Sequence, residues 1–437
     1  MIPTKVIMMI EVDRGGVMTT RDRILDAAVD EVVAVGHSDF RLARVAEHAG
    51  VTQAVIYQHF EGREGLIAAA VVAWARPLAE RRRLWLEHWT SQVNTLEDLI
   101  VDPEAVDVTV IEERQQEMRW SMAEILVLSW YYPELTEVVV ESNKEGFELL
   151  VAMYSRILSS SDQSGELEPR ALAYLSASLW FGGLISVIGE EERARQPVLT
   201  SILFEAISCA ANSPDLVKSG PIQQLSPTPI EPTALMVDDG GSTRDKILAA
   251  TMAELDEVGP VKLTVKQVAR RAGVSSALVI HHFKNRTELL AAASSLSIDA
   301  LYATRREMVL KLGREVDTED QLVEFARASM AVGASEGTDP QRRALIEALV
   351  AAHHSSTAMN LIATSARSYM EDGAALMADF QKRGFVGQRF APIDMANFIL
   401  RFQWGRVLFD EDPVTHVDLA DLGMLGELVY TKAFAEN

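Results

Sequence analysis

The chain holds one cysteine, Cys209, in 437 residues, so no internal disulfide can form and a reducing, cytoplasmic setting fits. It has no charge-free apolar run of about eighteen residues, which argues against a membrane span. Residues 1–17 carry a short apolar patch broken by Glu11 and Asp13. Without an h-region or cleavage site, they read as a disordered leader, not a signal peptide. Strand-type alternation is scarce. There is no Gly-rich phosphate loop ending in Lys and Ser or Thr, and no nucleophile elbow. The pairs His281-His282 and His353-His354 point to different helix faces and have no Cys or carboxylate at ligand spacing. No metal and no other cofactor is expected, and the chain does not read as an enzyme. Positive charge is also short: 41 Lys and Arg face 63 Asp and Glu, for a net charge of −22. Such a surface repels phosphate, so any nucleic-acid contact needs a local basic face.

What the chain does have is length for two or more domains, 48% hydrophobic residues and an internal repeat. Thr20-Arg21-Asp22-Arg23-Ile24-Leu25 returns as Thr243-Arg244-Asp245-Lys246-Ile247-Leu248, an offset of 243 − 20 = 223. The same offset carries Ala49-Gly50-Val51 onto Ala272-Gly273-Val274 and His59-Phe60 onto His282-Phe283. Far downstream it still carries Pro169 onto Pro392 and Gly182 onto Gly405. This is an internal duplication. Between the copies, residues 213–242 hold Pro214, Pro221, Pro227, Pro229 and Pro232, then Gly240-Gly241. They read as an extended linker. Elsewhere apolar residues recur at helical spacing in segments too long for strands, so the architecture is all-α.

In copy 1, Arg21 to Val35 is an amphipathic helix, with Thr20 placed as N-cap and Gly36 as its stop. A short helix from Leu42 to Ala49, a turn at Gly50 and a second short helix through Tyr57 follow. A glycine between two short helices permits the bend of a helix-turn-helix. Ala46 and Ala49 are small where the helices cross, and Val51, Val55 and Ile56 anchor the second helix. Thr52, Gln53, Tyr57 and His59 are then left as exposed hydrogen-bonding tips.

The string Val-Ala-x-x-Ala-Gly-Val-Thr-x-Ala-x-Ile-Tyr-x-His-Phe-x-x-Arg-x-x-Leu, ending at Leu66, resembles the TetR family. Copy 2 matches through Val268-Ala269, Ala272-Gly273-Val274-Ser275, His282-Phe283, Arg286 and Leu289. The resemblance implies DNA-binding heads at 18–66 and 243–289 and helical ligand and dimerisation domains at 67–212 and 290–437. Each copy would have about nine helices. It also implies double-stranded DNA as partner, repression as the sense of control and a small, mainly apolar effector. The DNA-contacting residues would be Arg41, Arg44, Thr52, Gln53, Tyr57, His59 and Arg63 in copy 1. In copy 2 they would be Thr264, Lys266, Ser275, Ser276, His281, His282 and Arg286. Copy 2 departs from the pattern with Ile280 at the place of Tyr57, but its head is the more basic of the two. Unlike reading tips imply an asymmetric operator. A module that senses a ligand or partner through degenerate heads is the rival reading.

The helix after head 1 contains Pro77, which should kink or break it. Within it, Arg81-Arg82-Arg83 reads as a solvated basic face. Trp120, Trp130, Tyr154 and Trp180 in copy 1, with Met377 and Phe402 in copy 2, are assigned to an effector pocket, favoured in copy 1. Ordinary core packing is the alternative for each. The last two helices of each copy, with Gly182-Gly183 and Gly405 allowing close approach, would pair the copies as an intramolecular pseudo-dimer. A homodimer of chains is the alternative.

Overall fold

The computed structural model describes the chain except residues 1–17, 37–39, 100–107, 161–165, 184–194, 214–240, 332–345, 348, 351, 354, 407–414, 416 and 436–437. The leader and nearly all of the linker therefore lie outside the described residues. So does His354.

Copy 1 runs α1 (Thr20–Val35), α2 (Leu42–Ala49), α3 (Gln53–His59), α4 (Gly62–Gln92), α5 (Val108–Ser129), α6 (Pro133–Ser159), α7 (Pro169–Gly182) and α8 (Gln196–Asn212). Copy 2 runs α9 (Thr243–Lys262), α10 (Val265–Ala272), α11 (Ser276–Phe283), α12 (Arg286–Arg314), α13 (Glu319–Ala331), α14 (Ser356–Arg383), α15 (Pro392–Arg406) and α16 (Leu419–Glu427). A π-helical turn at Leu428–Ala433 follows. No strand occurs among the described residues. The fold is all-α, two tandem units each made of a three-helix head and a helical body. Most paired helices begin at the sequence offset, as with α6 and α14 or α7 and α15.

The local chemistry explains the boundaries. Thr19, not Thr20, caps α1. Its hydroxyl accepts from the Asp22 N–H while the Asp22 carboxylate takes the Thr19 N–H and O–H. This capping box needs an acid three residues beyond the cap, which Thr19 has and Thr20 lacks. Ser242 and Asp245 repeat the box before α9. Gly36 (φ 70°, ψ 165°) ends the first helix, and Gly259 (φ 72°, ψ 164°) interrupts α9 in the same conformation. A side chain rarely adopts it. α4 passes through Pro77 without breaking. Pro77 faces solvent, where the carbonyl it deprives of a partner is not sealed in the core.

In head 1, Ile24, Val45 and Ile56 are fully buried beside Phe60. Ile247, Val268, Val279 and Phe283 fill the same places in head 2. The core of head 2 is separate, whereas that of head 1 is continuous with the shared core of the bodies. Between the copies, α7 packs along α15, and α8 against α15 and the π-helical turn. A Cβ at Gly182 would overlap the Arg401 carbonyl, and one at Gly405 the Ser178 carbonyl. Only glycine lets the backbones meet this closely. Arg195 pairs with Asp394 at 2.7 Å and Arg389 with Glu205 at 2.5 Å across the same junction.

Candidate nucleic-acid interface and effector body

The two short helices of each head are fixed by one turn. Gly50 is left-handed (φ 65°, ψ 39°), and Val51 donates to the Ala46 carbonyl at 2.9 Å. Gly273 (φ 68°, ψ 30°) and the bond from Val274 to Ala269 (2.9 Å) repeat it. The turn presents α3 with Ile56 buried and Thr52, Gln53, Tyr57 and His59 exposed. On α11, Val279 is buried and Ser275, Ser276 and His281 are exposed, while His282 is half-buried with its ring near Phe283. Leu278 and Ile280 are also exposed there.

Several of these polar groups already serve the fold. Ser275 caps α11 by accepting from the Leu278 N–H at 3.2 Å. Thr264 forms a capping box with Gln267 at the start of α10. Thr52 holds the cap position of α3 without a side-chain bond. Arg63 pairs with Glu64 at 2.7 Å and lies 5.8 Å from the Phe40 ring centre. Its counterpart Arg286 donates to the Leu263 carbonyl at 2.8 Å. Arg41 and Lys266 are exposed and have no ion-pair partner within 4.0 Å among the described residues.

Beneath the surface each head holds a buried glutamate at the same place in the repeat. Glu31 (4% exposed) faces Arg44 at 3.5 Å, and Glu254 (3% exposed) pairs with Arg271 at 2.7 Å. The two arginines stand at different positions of the repeat, one turn apart. Arg44 is thus committed in part to a head-internal pair. The matching glutamates were the signal for this pair, one the spacing of the tips did not supply. Arg21 over Phe60 and Arg244 over Phe283, both at 5.0 Å, form a second duplicated contact.

The family model for bacterial regulatory proteins of the tetR family matches residues 24–70 and again 247–293, the two heads. Both heads are TetR-type heads, carried in tandem on one chain. The HTH-type transcriptional regulator SrpR of Pseudomonas putida is 42% identical over 59 residues, 14% of this chain and 28% of that protein. The HTH-type transcriptional regulator BetI 1 of Chromohalobacter salexigens is 25% identical over 181 residues, 40% of this chain and 85% of its own. The match to SrpR thus spans less than a third of that protein. The solved structure of Salmonella enterica GusR aligns with 44% of this chain and 98% of its own at 20% identity, with a TM-score of 0.32.

Behind each TetR head, the aromatic residues of the body are spread over several environments. Trp120 stacks on His353 of copy 2 at 4.2 Å, and Phe402 meets Tyr174 of copy 1 edge-on at 6.0 Å. Both contacts lie between the copies. Tyr154 is buried and shares a 2.5 Å hydrogen bond with Ser176, and burial pushes its phenol up to about 12. Trp130 is half-buried at the edge of the shared core. Trp180 packs on Phe181. Met377 lines a cavity of about 50 Å³ in copy 2 with Tyr369, Gln403, Tyr430 and Ser329. That volume suits a water molecule or two, not a drug-sized ligand.

Arg82 overturns the solvated reading of the Arg81-Arg82-Arg83 run. Arg81 is exposed and Arg83 half-exposed, but Arg82 is buried, because it shares the core-facing stripe of α4 with Leu78 and Leu86. Its Nη1 donates to the Ser142 carbonyl (3.1 Å), Ser142 Oγ (3.4 Å) and Asn143 Oδ1 (3.5 Å). Its guanidinium carbon lies 6.0 Å from the Trp180 ring centre and 5.8 Å from that of Phe181. No carboxylate comes within 4.0 Å among the described residues. Burial lowers its pKa to about 10, so it remains a cation at neutral pH.

Two adjacent tyrosines at the α5–α6 junction reach different parts of the molecule. Tyr132 donates to Glu64 Oε2 at 2.7 Å, at the start of α4. Tyr131 donates to the buried Glu347 of copy 2 at 2.5 Å and lies against Gly259 of head 2. Neither contact was legible in the sequence.

Proposed function

We propose that this chain regulates transcription by binding an operator with both heads, represses from it, and releases it when a small, mainly apolar effector occupies a body. The observation that carries the reading is the pair of TetR heads, each with a turn-held second helix whose polar tips face outward. Thr52, Gln53, Tyr57 and His59 would read bases from α3, and Ser275, Ser276, His281 and His282 from α11. Arg41 and Lys266 would bind phosphate, with Arg44, Arg63, Thr264 and Arg286 combining phosphate contact with their roles in the fold. Because the two sets differ, the operator would be asymmetric. The net charge of −22 makes such binding depend on these local cations and fall steeply with salt. The close backbone approach at Gly182 and Gly405 supports an intramolecular pseudo-dimer, with one chain supplying both heads. The opposing case is a dimer of chains with four heads. The exposed Leu278 and Ile280 on α11 favour a second reading, in which head 2 has lost base contact and the chain senses a ligand or partner.

Footprinting the purified protein on the DNA upstream of its own gene, at low and moderate salt, tests this. A protected, non-palindromic stretch spanning two major grooves is expected. A single short patch would assign reading to one head. A perfect palindrome selected from random DNA would overturn the asymmetric operator.

A further inference from the structure

Arg82 of α4 faces α6 and α7 in the body of copy 1, and donors outnumber acceptors around its guanidinium. Its Nη1 is satisfied by Ser142 and Asn143, but Nε and Nη2 donate to no described group. The Trp180 indole Nε1 is also buried without an acceptor. Gly146 on α6 leaves the room that the guanidinium occupies: a Cβ there would fall 3.1 Å from Arg82 Nη2. A buried cation without an anion is costly, and aromatic faces offset only part of that cost. The donors left over, Arg82 Nε and Nη2 and the Trp180 indole N–H, suit a group that brings oxygen acceptors and negative charge.

We propose that the body of copy 1 binds an organic anion, its apolar part against Trp180 and Phe181 and its carboxylate or phosphate oxygens on Arg82 Nε and Nη2. A guanidinium presents two parallel N–H groups that match such a head bidentately. Copy 2 is unlike it. It keeps an arginine at the repeat position, Arg305, but has Tyr369 for Gly146, Ala366 for Asn143 and Gln403 for Trp180. The notch, one acceptor and the indole are all replaced, so copy 1 is the anion-binding copy. The inference rests on the proposal that a body takes an effector, and it adds that this effector is anionic.

The test uses the full-length protein without DNA, so its result is independent of whether the heads bind an operator. Octanoate and benzoate, each beside its neutral amide, and octyl phosphate are titrated by calorimetry. At least one anion is expected to bind, about tenfold or more tighter than its amide. Binding by octanoate or benzoate alone would assign a carboxylate head, and binding by octyl phosphate alone a phosphate head. Arg82→Met should remove binding and leave the melting temperature equal or higher, since an apolar residue of similar size relieves an unpaired buried charge. Gly146→Ala, which fills the notch but keeps the charge, should weaken binding about fivefold or more with unchanged circular dichroism. Amides binding as well as their acids, or no anion binding at about 5 mM, would overturn the proposal. So would a clear fall in melting temperature for Arg82→Met, which would make Arg82 a structural cation.

Discussion

The Tyr132 hydroxyl donates to Glu64 across 2.7 Å and ties the body of copy 1 to the first turn of the helix that leaves head 1. Burial first, then the carboxylate it faces, raises the phenol well above its usual range, so Tyr132 stays a donor throughout the physiological range. Its neighbour Tyr131 reaches Glu347 and Gly259 in copy 2. One dipeptide therefore touches both halves of the chain. Tyr132→Phe should cost about 1 kcal/mol, the usual worth of one hydrogen bond to a partly exposed group. Faster hydrogen exchange in the first turn of α4 would register it; unchanged exchange would mean the bond does not hold the head.

Gly259→Ala should cost about 1–3 kcal/mol, because its backbone conformation is close to glycine-only and the Tyr131 hydroxyl lies 2.8 Å from the added Cβ. Gly50→Asn should be much milder, since Gly50 is in the ordinary left-handed region with nothing within 4 Å of a Cβ. Urea denaturation of the two variants compares them directly. Equal losses would contradict the backbone described for Gly259.

Gly182→Ala and Gly405→Ala should each destabilise the junction of the two bodies by about 3 kcal/mol or more, beyond ordinary overpacking, because the obstructing atoms are carbonyls of the facing helix. Calorimetry should resolve two melting transitions where the native chain couples its halves. A single unshifted transition would show that α7 and α15 do not pack this closely.

Arg271→Met should destabilise head 2 by about 1–3 kcal/mol by leaving Glu254 buried without its partner. Arg44→Met should do less in head 1, because Arg44 is 46% exposed and its contact with Glu31 is longer. The comparison is read from the chemical denaturation of each variant, and the reverse order would deny the pairs their structural role.

If the heads bind DNA, Lys266→Ala should weaken binding alike on all sequences and lower the salt slope by about 1. Gln53→Ala should instead cost about 1–3 kcal/mol and relax preference in one half of the operator only. Binding assays across a salt series, on native and half-randomised sites, separate the two. A Gln53 variant with unaltered sequence preference would remove α3 from base reading.

The sequence by itself determined what depends on neighbours in the chain. The duplication, the all-α character, the glycine turn of each head and the outward Thr52, Gln53 and Tyr57 follow from residue spacing, because a helix places i, i+3 and i+4 on one face. The burial of Arg82 was within reach of the same rule, since it lies four residues from both Leu78 and Leu86, but a run of three arginines hid it. The cap of α1 shifted by one residue because the decisive acid stands three positions beyond Thr19. Only the tertiary structure decided which residues far apart in the chain meet: Tyr131 with Glu347, 216 residues away, and Gly182 with Arg401. It also decided that Arg82 lies among Ser142, Asn143, Trp180 and Phe181 with no carboxylate among the described residues. Such contacts depend on how whole helices dock, and residue spacing within one helix carries no record of its partner.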